Sequence, residues 1–242
     1  MHIWFSYRLL QFLLSVVVAF CLTGYRVASQ PQRPATARPS PTSAEQPATS
    51  DAIDRPTSKP YTGTLSNFED PKRDQNLQVD RVMDVLGIKK GSSVADIGAG
   101  SGWFTVRAAR RVETGNVYAV DINPEFLKHI QARAEREKLL NIKTILGEED
   151  DPRLPSESVD AVLLLKTYHE VAQPIRLLKR TREAMRSGAL LGIIDREGED
   201  DDHGIGKKIV IKEAGTAGLT LVGEYDFVKA DNVDYFLVFR AN

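Results

Sequence analysis

The chain has 242 residues, 42% hydrophobic and 27% charged, enough for one substantial globular domain with a tail. A formal net charge of −1 provides no basic field of the kind that makes nucleic acid a default partner. The one cysteine, Cys21, lies in an N-terminal apolar run, so the remainder has neither an internal disulfide framework nor a cysteine nucleophile.

Arg8 precedes an apolar run from Leu9 to Leu22 that is broken by Gln11 and Ser15. The run is short for a membrane span of about 20 residues and fits the core of a secretory signal. Val27-Ala28-Ser29 supplies small residues for a cleavage site. Residues 1–29 are expected to be a signal peptide or signal anchor, exporting the chain or attaching it to a membrane through residues 9–22. Phe20 stands where a lipoprotein signal carries a small residue. Arg26, Arg33 and Arg38 follow the run, against Arg8 and the amino terminus before it, so charge bias leaves the sidedness open. Residues 30–60 hold seven of the twelve prolines and few large apolar side chains, the composition of a disordered linker. The domain is expected over 61–242.

From Asn76, the spacing of Val79, Val82, Met83 and Leu86 predicts a helix that Gly87 stops. A buried strand over Ser93–Ile97 runs into a glycine turn, and a helix follows over Gly102–Arg111. Asn116–Ile122 is a second strand. Asn123 then offers a capping side chain, with Pro124 at the first helical position. Strands are predicted at Asn141–Leu146 and, nearly all apolar, at Ser158–Leu165. A helix over Pro174–Arg186, closed by Gly188, precedes a strand at Ala189–Asp195. A helix over Gly206–Ala217 leads to strands at Leu219–Tyr225 and Tyr235–Arg240. Alternation of strands and helices predicts an α/β fold: a Rossmann-like, seven-stranded, mostly parallel sheet with helices on both faces. The last two strands lack a helix between them and form an antiparallel C-terminal edge hairpin.

Chemistry concentrates first in the turn Gly98-Ala99-Gly100-Ser101-Gly102. Its glycines permit positive φ and let backbone N–H groups approach a bound molecule. Asp121 ends the second strand 23 positions after Gly98, where a carboxylate can accept both hydroxyls of a ribose. Asp96 lies two residues before the first glycine, placed to face an ammonium group. Trp103 follows the GxGxG turn, where a dinucleotide site needs glycine or alanine for close helix packing. An NAD(P)-dependent oxidoreductase is disfavoured on that ground.

VADIGAGSGWFTVRAAR resembles the first motif of class I S-adenosylmethionine (SAM) dependent methyltransferases, and VYAVDINPEFL resembles their second-strand segment. LGEEDDPRLPSESVDAVLLLKTYHEV is similar to their third-to-fourth-strand region, and the resemblance runs to the closing YFLVF. It implies SAM as cofactor. Asp96 and the Gly98, Gly100 and Gly102 backbone would surround the methionine portion, with Ala99 and Ser101 in the same turn. Asp121 would hold the ribose and Ile122 the adenine. Glu148, with Glu149 beside it, falls where the family places an acid facing the adenine amino group. Lys166 would offer a backbone carbonyl to the methionine ammonium. The domain would then need access to a donor made in the cytoplasm.

Methyl transfer from a sulfonium needs alignment in a dry site, and a general base only when the acceptor must lose a proton. Candidates cluster in Lys166-Thr167-Tyr168-His169-Glu170, at the carboxyl end of a parallel strand. His169 is the expected base, and Arg73, Tyr168 and Asp195 are expected acceptor contacts. The expected acceptor is a small molecule, with no nucleic acid involved. His169, Asp195 and His203 lack a local metal-ligand spacing. The competing reading is a SAM-binding module without catalysis.

Overall fold

The computed structural model describes residues 57, 61–198, 203–228 and 233–241. All belong to the unit Gln46–Asn242. The expected signal segment, and all of the linker but Thr57, lie outside the described residues. Among the described residues, no helix is long and apolar enough to cross a membrane.

The elements in chain order are α1 (Arg73–Leu77), α2 (Val79–Val85), β1 (Val94–Ile97), α3 (Trp103–Val112), β2 (Val117–Asp121), α4 (Pro124–Glu137) and β3 (Ile142–Leu146). There follow β4 (Val159–Leu165), α5 (Pro174–Ala184), β5 (Met185–Arg196), α6 (Lys207–Thr216), β6 (Leu219–Tyr225) and β7 (Asp234–Ala241). One seven-stranded sheet has the order β3-β2-β1-β4-β5-β7-β6. The first five strands are parallel, and β7 inserts antiparallel between β5 and β6. The expected antiparallel hairpin is present, with β6 at one edge of the sheet and β3 at the other.

Strand alternation sorts the core into two layers. Ala95, Ile97, Val162, Leu164, Leu237 and Phe239 pack with Leu177, Leu178, Val210 and Ala214 of α5 and α6. Val94, Ala161, Leu163, Phe236 and Val238 face the opposite way, onto Val82, Met83, Phe104, Ala108 and Val112 of α2 and α3. Each fully buried aliphatic side chain contributes about 1.5–3 kcal/mol relative to exposure, so β4, apolar on both faces, belongs at the centre. Asn123 caps α4 as expected, its Oδ1 accepting from the Glu125 N–H at 2.9 Å.

Two local expectations are corrected. Gln78 takes a left-handed conformation (φ 47°) that separates α1 from α2, and its Nε2 donates to the Phe227 carbonyl at 2.8 Å. The helix α5 ends at Ala184, and Met185 already pairs with Val159 of β4. Arg186 pins this early strand start, its Nη1 donating to Asp160 at 3.0 Å and its Nε to the Glu157 carbonyl at 3.1 Å. Gly188 (φ 81°) therefore lies in an irregular stretch of β5, where the register shifts, and does not close a helix.

Candidate active site

A cavity of about 640 Å³ opens where strand order reverses, beyond the carboxyl ends of β1, β2, β4 and β5. That is the usual ligand crevice of an open α/β sheet, and the volume lies within the range of small-molecule sites.

The glycine turn forms one wall. Gly98 and Ala99 N–H groups both donate to the Val120 carbonyl, at 2.9 and 3.0 Å, locking the turn onto β2. Gly98 adopts φ 74°, and a Cβ there would lie 2.3 Å from Cγ2 of Thr167. Only glycine fits. Gly102 also has φ 74°, but its absent Cβ makes room for Ile130 of α4, and it is not on the cavity wall. Its place in the cofactor set is therefore packing behind the turn, while Gly98, Ala99, Gly100 and Ser101 line the cavity.

Asp121 lies at the end of β2, its Oδ2 accepting from the Gly100 N–H and its Oδ1 from the Asn123 N–H, each at 2.9 Å. Burial pushes its pKa up, opposed by those backbone donors. Beside it Ile122 keeps 42% of its surface exposed on the cavity wall, an apolar face next to a polar anchor. Asp96 is buried, accepts from Thr105 Oγ1 at 2.6 Å, and has its pKa pushed up to about 6 by burial. The Arg73 guanidinium opposes that rise by its charge. Arg73 itself lies over the Trp103 ring at 4.5 Å and donates through Nη1 to the Phe68 carbonyl at 2.8 Å. Its pKa is lowered, burial being the main cause. Arg73 thus belongs with Asp96 in the glycine-turn wall.

The chain ahead of α2 closes this side. Glu69 accepts from Ser101 Oγ at 2.7 Å and from Arg133 Nη1 at 2.6 Å. Phe68 lies against Gly100, and the Tyr61 and Phe68 rings meet edge to face at 4.7 Å. Tyr61, Phe68, Glu69 and Thr105 were not among the expected site residues. For Phe68 and Glu69 the signal available was FEDPKRD, an aromatic and charged run at the start of the domain.

Glu148 and Glu149 line the cavity, and Glu148 is paired with Arg153. Asp150 is held by Arg176 at 2.6 Å, and Asp151 Oδ1 accepts from the Arg153 N–H at 2.7 Å. Lys166 has φ 56°, donates its N–H to the Ile194 carbonyl at 2.7 Å and pairs through Nζ with Asp234. Such a conformation costs a non-glycine residue about 1–3 kcal/mol, and it turns the chain off β4 at the cavity floor.

Two expected acceptor contacts are elsewhere. Tyr168 is fully buried away from the cavity wall, and its hydroxyl donates to Glu213 Oε2 at 2.7 Å. Asp195 is also fully buried and off the wall, 2.9 Å from Nδ1 of His169. His169 itself lines the cavity with Glu170 and His203.

Residues 94–188, from β1 through the start of β5, match the model of a family described as a methyltransferase domain. Over that span the chain is similar to the methyltransferase-domain family. The domain is 28% identical over 94 residues to a protein-L-isoaspartate O-methyltransferase of Pyrococcus horikoshii, covering 39% of this chain and 42% of that protein. The chain thus spans less than half the length of that relative. Its fold is that of a SAM-dependent methyltransferase from Aquifex aeolicus, with TM-score 0.66 and 24% identity over 72% of this chain and 95% of that one. It also resembles coclaurine N-methyltransferase bound to N-methylheliamine and S-adenosylhomocysteine, with TM-score 0.56 and 15% identity over 79% and 76% of the two chains. The residues of the cavity fit SAM: a glycine cradle, a carboxylate held at the second strand end, an exposed apolar face beside it, and a buried acid within the field of an arginine.

Proposed function

We propose that this chain catalyses methyl transfer from SAM to a small-molecule acceptor. The observation that carries the reading is Asp121, held between the Gly100 and Asn123 N–H groups at the cavity edge next to the exposed face of Ile122. A bound SAM supplies an electrophilic methyl group on a sulfonium. Asp121 accepts the ribose hydroxyls, and Ile122 covers one face of the adenine. Glu148 and Glu149 border the adenine edge.

Asp96 faces the methionine ammonium, and Arg73 balances the methionine carboxylate. This assigns Arg73 to the donor. The pairing is favoured by burial, since the ionised Asp96 has its electrostatic support from Arg73 and from Thr105. The segment from Tyr61 to Arg73 covers the cradle and keeps water from the sulfonium, which strengthens the electrostatic contacts there. His169 is the proton acceptor when the attacking atom carries a proton.

Calorimetry with SAM, S-adenosylhomocysteine and NAD tests the reading. Both sulfur compounds are expected to bind and NAD is not. Binding of neither sulfur compound would overturn it, and binding of both without any methyl transfer would favour a SAM-binding module.

A further inference from the structure

On the β4–β5 side of the cavity, His169 and Asp195 form a pair whose geometry is over-determined. Asp195 is fully buried at the end of β5. Its Oδ2 accepts from the His169 N–H at 3.0 Å, and its Oδ1 accepts from the Arg196 N–H at 2.9 Å. The His169 ring presents Nδ1 to the same carboxylate, 2.9 Å from Oδ1 and 3.1 Å from Oδ2. Both oxygens already accept from backbone donors, so the carboxylate is an acceptor toward the ring and Nδ1 carries a proton. Nε2 is then the nitrogen with the free lone pair. Glu170 Oε1 lies 3.9 Å from it, and the His203 ring stands nearly perpendicular to the His169 ring with centroids 6.2 Å apart. His169, Glu170 and His203 face the cavity, whereas Asp195 reaches it only through His169.

We propose that Asp195 is a positioning residue that fixes the Nδ1–H form of His169, so that Nε2 takes the proton of an acceptor hydroxyl. For the reaction this rests on the methyltransferase reading; the ring form itself does not. The hydroxyl oxygen forms the new bond to the methyl carbon, and the carbon–sulfur pair returns to sulfur. The O–H proton passes to Nε2, leaving an ether, a neutral thioether and an imidazolium held against Asp195. A sulfide or a tertiary amine has no proton to lose and gains nothing from the pair. The wall supplied by Leu165, Val171, Ala172 and Leu177 suits an apolar or aromatic body, so the acceptor class is a phenol or a hydrophobic alcohol.

Proton–nitrogen correlation spectra of the isotopically labelled full chain read the ring form directly. His169 is expected to carry its proton on Nδ1 in the wild type and on Nε2 in Asp195→Asn, whose amide can donate to Nδ1. A wild-type Nε2–H form, or no change in the variant, overturns the positioning role. Labelled SAM is then offered with 4-methylphenol, 4-nitrophenol, thioanisole and N,N-dimethylaniline. Transfer to the phenols is expected, with Asp195→Asn slowing 4-methylphenol turnover about 100-fold and 4-nitrophenol, already ionised, far less. Equal losses on both phenols, or no transfer to either, overturns the hydroxyl assignment. S-adenosylhomocysteine affinity within about twofold of wild type shows that the variant retains its donor site. Failure of the wild type itself to bind that compound would instead remove the methyltransferase reading.

Discussion

Thr105 Oγ1 donates to the buried Asp96 carboxyl at 2.6 Å, so the first turn of α3 reaches back to support an acid on β1. Burial still dominates, holding the pKa of Asp96 at about 6 despite Thr105 and the Arg73 charge, with Asp121 adding to the rise. In the folded chain Asp96 therefore binds its proton more tightly than in the unfolded chain. Its contribution to stability is fully present below the unfolded carboxylate pKa, about 4, and is lost as pH rises through about 6. That contribution is about 3 kcal/mol. Urea denaturation between those pH values is expected to show a fall that Asp96→Asn abolishes. A wild-type curve with no fall attributable to Asp96 would contradict the assignment.

The same acid couples the donor to protons. An ammonium facing Asp96 favours the carboxylate, so SAM binding below pH about 6 must release a proton and weaken as pH falls. Calorimetry at pH 5 and 7 in buffers of different ionisation enthalpy is expected to show tighter binding at the higher pH. Asp96→Asn is expected to bind more weakly with little pH dependence across that window.

Asp121→Ala removes the acceptor of two backbone N–H groups and of the proposed ribose contact. Hydrogen bonds to a charged group are each worth about 1.5–3 kcal/mol, so SAM affinity is expected to fall about 10- to 100-fold or more. His169→Ala is expected to leave affinity nearly unchanged and to lower turnover. Equal affinity losses in the two variants would reject this division of roles.

Gly98→Ala places a methyl group 2.3 to 2.8 Å from Thr167 side-chain atoms at φ 74°. The double variant Gly98→Ala with Thr167→Ala is expected to recover the steric part of the lost stability. About 1–2 kcal/mol from the left-handed conformation should remain. Thermal denaturation of the two variants separates the components, and full recovery would exclude backbone strain.

Glu69 joins the chain ahead of α1 to the glycine turn through Ser101 and to α4 through Arg133. The pair is partly exposed, so Glu69→Ala is expected to cost less than about 1 kcal/mol in global stability. Hydrogen exchange over residues 61–77 should rise, and SAM should leave several-fold faster. Unchanged exchange in that segment would show that Glu69 does not hold it closed.

Much of this was legible in the chain because its causes are local. The apolar run of β4, the Asn123-Pro124 start of α4 and the glycines before α3 each act within a few residues, so the succession of strands and helices, the cap of α4 and the glycine turn follow from spacing. Other features were illegible because their partners are distant. The early start of β5 depends on Arg186 reaching Asp160, 26 residues away, and the break at Gln78 on a carbonyl at Phe227, 149 residues away. The sequence by itself determined the α/β class and the glycine turn with Asp96 and Asp121 on either side of it. Only the tertiary structure decided which way the polar groups point. It turned Tyr168 into the core toward Glu213, brought Arg73 to Asp96, and placed Asp195 behind His169, because a buried charged or polar group must find its partner through space wherever the fold supplies one.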